Sequence, residues 1–126
     1  KALNKVLIVD DDPHIVRLLG RIIKTETPEM QILEAFGGEE ALEIAAAQSP
    51  DVMILDLLMP GLSGYDVLNA LAADAALATM PVIVISARGL DEENSNLKGE
   101  LRISRARGFS TSELLGMIGT ALGNLP

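Results

Sequence analysis

Residues 51–64 read DVMILDLLMPGLSG. Val52, Met53, Ile54 and Leu55 form an unbroken apolar run, the pattern of a strand buried on both faces. A carboxylate, Asp56, interrupts the apolar sequence, two leucines follow it, and Pro60 and Gly61 then turn the chain. A charge in that position needs a reason, because an ionised group beside a core is costly unless something pairs with it.

Two other stretches share the pattern. Residues 5–9, KVLIV, are rich in β-branched residues and stop abruptly at Asp10, Asp11, Asp12 and Pro13; residues 81–86, PVIVIS, stop at Ser86. Both are read as buried strands with polar groups at their carboxyl ends. After the first, Ile15, Leu18, Leu19, Ile22 and Ile23 recur at helical spacing. Asp12 can cap that helix, Pro13 suits its first position, and about three turns are expected before Pro28. Residues 30–35, MQILEA, form a second strand candidate, Gly37 and Gly38 a turn, and residues 39–48 a helix stopped by Ser49 and Pro50. Residues 65–76 are helical by composition. Strands and helices thus alternate with short connections, which argues an α/β, flavodoxin-like, doubly wound parallel sheet of order 2-1-3-4-5.

Beyond Ser86 the alternation weakens. Residues 87–99 are polar and show no apolar stripe of a helix's width, so a fourth helix is expected to be shortened or missing. Residues 100–104, ELRIS, alternate apolar and polar and predict a half-exposed fifth strand of the parallel sheet. Ser110 and Glu113 have capping-box spacing, and Leu114, Leu115, Ile118 and Leu122 give the stripe of a closing helix.

The chain has 126 residues, enough for a single core and one domain. Only three aromatic residues are present, Phe36, Tyr65 and Phe109, so aliphatic side chains must fill the core, as they do between helices and a sheet. No apolar run approaches the ~20 residues of a membrane span, and membrane insertion is not expected. The formal charge of −8 opposes direct binding to nucleic acid or anionic lipid. Cysteine is absent, which excludes disulfides and thiolate metal sites and agrees with a cytoplasmic setting. The chain starts without Met, as expected of a domain cut from a larger protein.

Ligands of open parallel sheets collect outside the carboxyl ends of the strands, where strand order reverses. Strands one and three are neighbours in the expected order, so Asp10, Asp11 and Asp56 should converge there. Three adjacent carboxylates repel one another unless a cation lies among them. Oxygen donors without His or Cys select a hard ion, Mg²⁺ above all. With Ser86 at the end of the next strand, the set suits phosphoryl transfer with a carboxylate nucleophile.

The segments LIVDDDP at 7–13, DVMILDLLMPGLSGYDVL at 51–68 and PVIVISA at 81–87 together resemble the receiver domains of two-component response regulators and hybrid histidine kinases. The resemblance is good over about residues 5–87 and poor beyond. It implies that the chain is a single receiver domain that takes a phosphoryl group onto Asp56 from a histidine kinase or a histidine phosphotransfer domain. It implies Asp11 and Asp56 as Mg²⁺ ligands with the backbone carbonyl of Leu58, and Asp10 acting through water. Ser86 takes the place of the family's switch hydroxyl. Asp12 falls outside the acid pair and is a cap.

The departures are also specific. Receivers usually carry Lys-Pro after the fifth strand, and no such dipeptide follows here; Arg105, or as a second choice Arg107, comes nearest the lysine position. A planar guanidinium is not equivalent to a mobile ammonium at a phosphoryl group. The family's aromatic switch position holds Arg102 or Ser104. With a thin fourth helix as well, a dimer through the usual face of fourth helix, fifth strand and fifth helix is not expected. These losses keep open a second reading, a pseudo-receiver that binds partners without phosphorylation. A third, a phosphohydrolase of the haloacid dehalogenase type, wants an acid two residues after the nucleophile, where Leu58 stands. In either of the first two readings the chain is not an enzyme acting on a separate substrate. His14 reads as a surface residue, and Arg88, Lys98, Arg102, Arg105 and Arg107 as a solvated face or a partner patch.

Overall fold

The computed structural model describes residues 4–85 and the backbone of three short strands, 90–91, 96–97 and 101–105. The elements are β1 (Lys5–Val9), α1 (Pro13–Glu26), β2 (Gln31–Ala35), α2 (Gly38–Gln48), β3 (Val52–Asp56), α3 (Gly64–Ala73), β4 (Val82–Ile85), β5 (Leu90–Asp91), β6 (Asn96–Leu97) and β7 (Leu101–Arg105). The main sheet has the order β2-β1-β3-β4-β7. Its first four strands are parallel, as the alternating pattern predicts. The closing helix expected over residues 110–122 lies outside the described residues.

Burial explains which strand sits where. All five residues of β3 are buried, and β1 is buried from its second residue on, as central strands with helices on both faces must be. β2, at the edge, is partly exposed. Period-two alternation then sorts side chains to two layers. Leu7, Val9, Met53, Leu55, Val82 and Val84 pack with Ala41 and Ala45 of α2 and Val67 and Leu71 of α3. On the other face lies α1, whose Gly20 approaches Ile8 and Ile32 and whose Ile15, Val16, Leu19, Ile22 and Ile23 are buried.

Local signals start and stop the helices. Asp12 Oδ1 accepts the N–H of His14 at 2.9 Å, and Pro13 occupies the first helical turn, where a missing N–H is harmless. Ser63 and Asp66 form a reciprocal capping box at α3. At α2, Ser49 closes the helix in the left-handed region with φ 48°. Across the amino edge of the sheet, Asp51 Oδ2 accepts the N–H groups of Asn4 and Lys5 at 2.9 and 2.8 Å and ties the start of β1 to that of β3.

The fifth strand of the sheet departs from expectation. β7 pairs with β4 antiparallel, so the sheet is parallel in four strands and antiparallel at one edge. A parallel return needs a crossover, usually a helix. The described residues between β4 and β7 instead include the antiparallel pair β5 and β6, Leu90 opposite Leu97 and Asp91 opposite Asn96. Most of the segment in which a shortened or missing fourth helix was expected lies outside the described residues, and the direction of β7 was not legible from the alternation of its residues.

Candidate phosphoacceptor site

The carboxyl ends of β1 and β3 lie side by side, with Val9 opposite Leu55. Asp10 therefore follows one strand at the level where Asp56 ends the other. Asp10 is 2% exposed and Asp56 4%, while Asp11 is exposed at the mouth. One carboxylate oxygen from each of the three lies within 4.8 Å of the others. The convergence expected from strand order is thus met in space.

Both strand-end acids are held by the same local device. The N–H of Asp12 donates to Asp10 Oδ1 at 2.9 Å, and the N–H of Leu58 donates to Asp56 Oδ1 at 3.2 Å. Each carboxylate is thereby fixed by the backbone two residues on, a turn that Asp forms readily. Asp10 Oδ2 remains buried with no hydrogen-bond partner among the described residues. Burial pushes the Asp10 carboxyl up from 3.8 to about 7; the Asp12 N–H opposes the rise, and the charges of Asp56 and Asp11 add to it.

Those observations bear on the metal. An orphaned, buried carboxylate oxygen beside two more acids, with oxygen donors only, is a set that a hard divalent cation satisfies. The residues fit Mg²⁺, with Asp10, Asp11 and Asp56 as the candidate ligands.

The loop after β3 is shaped by close approaches. Gly61 takes φ 72°, which the turn after Pro60 demands of a residue without Cβ. A Cβ on Gly64 would lie 2.4 Å from the Asp56 carbonyl oxygen and 2.5 Å from Leu57 Cα, so the chain folds back onto the end of β3 only because that Cβ is absent. The N–H of Gly64 then bonds the Leu57 carbonyl at 3.1 Å. This clamp precedes the capping box of α3, and neither was singled out in the sequence, although Ser63 and Asp66 have the spacing of one.

Leu58 is 57% exposed at the mouth, consistent with a residue expected to act through its backbone. Asp12 is the α1 cap, as expected, and His14 is exposed. Ser86 and Arg107 lie outside the described residues. Arg105 requires a correction. In the antiparallel register Arg105 stands opposite Val82, at the amino end of β4, whereas Asp56 stands opposite Ile85 at its carboxyl end. Three residues of strand, ~10 Å, separate the two levels. Placing Arg105 at the phosphoryl group presumed a parallel strand, whose far end would have reached the reactive edge; the reversed strand brings Leu101 to that level instead.

Comparison with known proteins agrees with this geometry. The family model of the response regulator receiver domain matches residues 6–100. Protein PilH of Pseudomonas aeruginosa is 32% identical over 103 residues, covering 82% of each chain. The transcriptional regulatory protein KdpE of Mycobacterium tuberculosis is 46% identical over 86 residues, 68% of this chain and 36% of that relative's length. Among solved structures, the N-terminal domain of a response regulator receiver protein from Methanoculleus marisnigri JR1 superimposes with a TM-score of 0.64 at 26% identity, covering 93% of this chain and 80% of that one. On the match across most of its length and the fold that carries its acids, the chain belongs to the response regulator receiver domain family.

Proposed function

We propose that Asp56 accepts a phosphoryl group from a phosphohistidine on a histidine kinase or histidine phosphotransfer domain, in a Mg²⁺-dependent reaction, and that the domain acts as a switch or relay. The observation that carries the reading is the meeting of Asp10, Asp11 and Asp56 within 4.8 Å, with Asp10 Oδ2 buried and unsatisfied. Bound Mg²⁺ would neutralise the clustered acids and the charge on the phosphoryl oxygens.

The chain's own residues do the rest. An Asp56 oxygen forms a bond to phosphorus as the phosphorus–nitrogen bond of the donor breaks, and the imidazole nitrogen keeps the electron pair. The Leu58 N–H, on Asp56 Oδ1, orients the carboxylate for that attack. The Asp12 N–H does the same for Asp10. Hydrolysis of the acyl phosphate by water returns Asp56, so the domain catalyses its own phosphorylation and dephosphorylation and turns over no other substrate. A cytoplasmic location suits this chemistry; among the described residues no helix is long and apolar enough to cross a membrane.

A pseudo-receiver is the second reading, favoured by the displacement of Arg105 from the reactive edge. Incubation with acetyl phosphate, with and without Mg²⁺, followed by intact-mass measurement separates the two. Phosphoacceptor chemistry predicts the mass gain of one phosphoryl group in wild type with Mg²⁺ and none in Asp56→Asn. No gain in wild type would leave the pseudo-receiver.

A further inference from the structure

At the opposite margin of the sheet from β7, β2 has one neighbour, β1, among the described residues. Hydrogen bonding fixes which of its residues face that neighbour. The N–H of Gln31 donates to the Asn4 carbonyl, and the Ala35 carbonyl accepts the N–H of Asp10. Backbone groups alternate in direction along a strand, so Gln31, Leu33 and Ala35 face β1, while the N–H and carbonyl groups of Ile32 and Glu34 face the open edge.

The same two residues line a groove of about 360 Å³ with Arg17, Gly20, Arg21 and Lys24 of α1. Gly20 brings the helix down onto the sheet, since a Cβ there would lie 3.3 Å from Ile32 Cγ2. Beside that contact, the basic residues recur at helical spacing along one lip. Lys24 Nζ is engaged with the Met30 carbonyl at 2.8 Å. No ion pair holds Arg17 or Arg21 among the described residues, and both are exposed. In a chain of charge −8 this is a locally positive margin, opposed only by Glu34 within the groove. Aliphatic stems of the basic side chains and Ile32 supply apolar wall, with charge at the rim.

We propose that this edge receives an extended acidic segment of a partner protein, which adds to the sheet as a further strand beside β2. Its main chain pairs with the outward backbone groups of Ile32 and Glu34, and its alternate side chains face α1, where carboxylates meet Arg17 and Arg21. Strand addition supplies affinity through the backbone, and the basic lip selects an acidic partner over a neutral one. The site lies on the outer side of α1 and does not depend on the chemistry at Asp56.

The test uses the whole chain and two synthetic peptides, one alternating Glu with Val and one alternating Lys with Val. Binding is followed by amide chemical shifts and hydrogen exchange. The acidic peptide should shift and protect the amides of Ile32 and Glu34, and its affinity should fall several-fold between about 50 and 300 mM salt. Arg17→Glu with Arg21→Glu should weaken it about tenfold or more, and Glu34→Gln should tighten it. All three positions are exposed, and unchanged thermal unfolding of these variants would show that folding is intact. The proposal is overturned if the acidic peptide does not bind, if the basic peptide binds equally well, or if the response appears away from β2. Protection of Ile32 and Glu34 that rises with protein concentration in the absence of peptide would assign the edge to a second copy and overturn it too.

Discussion

Asp10 shows how burial tunes one carboxylate of the acid cluster. Its carboxyl is pushed from 3.8 up to about 7, first by burial and then by the neighbouring acids. The folded metal-free protein therefore holds this proton more tightly than the unfolded chain does. Between those two values the folded state carries more protons, so this group's contribution to stability falls as pH rises through the window. Urea unfolding without metal should find the protein more stable near about pH 5 than near about pH 8 from this contribution. Asp10→Asn should flatten the dependence and stabilise the metal-free protein at the higher pH by ~1–3 kcal/mol. Saturating Mg²⁺ should narrow the difference between wild type and variant, because the cation binds the charged form. Gly64 makes the complementary case, a residue that matters for what it lacks. Gly64→Ala places a Cβ against the Asp56 carbonyl and should destabilise the fold by on the order of 1–3 kcal/mol. On the proposed function it should also slow phosphorylation, measured as the rate of mass gain with acetyl phosphate, because the strand end that carries Asp56 must shift.

At the scale of elements, what could be read from the sequence follows from what periodicity encodes. The runs 5–9, 51–56 and 81–86 announced buried strands because β1, β3 and β4 are covered on both faces, and their amino-acid choice reflects that directly. Strand order then brought Asp10, Asp11 and Asp56 together without any contact being visible in the sequence. Alternation in ELRIS located β7 within one residue, yet alternation is the same in either direction along a strand. Direction is set by the connection, and the pair β5 and β6 stands where a crossover helix would have been needed. That single unknown displaced Arg105 by the length of a short strand. Asp51 was passed over for a different reason. It looked like the polar start of a strand, and only the fold brings it under the N–H groups of Asn4 and Lys5, 47 and 46 residues away in the chain. Asp51→Ala should cost ~1–2 kcal/mol in denaturant unfolding while leaving the phosphorylation rate unchanged, because its bonds lie at the edge of the sheet opposite Asp56.

For the molecule as a whole, the two margins of the sheet's strand ends divide the work. The amino edge is tied by Asp51 and by Lys5 Nζ on the Gln48 carbonyl, and the carboxyl edge carries three clustered acids, among which Asp10 Oδ2 is buried without a hydrogen bond among the described residues. The chain spans 82% of PilH but only 36% of KdpE, so the receiver unit is common to proteins of different length. The central claim is that this unit takes phosphate on Asp56, and borohydride trapping tests it most directly. The protein is phosphorylated with acetyl phosphate and Mg²⁺, reduced with borohydride, digested and sequenced by mass spectrometry. The account predicts homoserine at position 56 alone, dependent on both Mg²⁺ and the phosphodonor. Homoserine at Asp10, Asp11 or Asp12, or no reduction product at any aspartate, would contradict it.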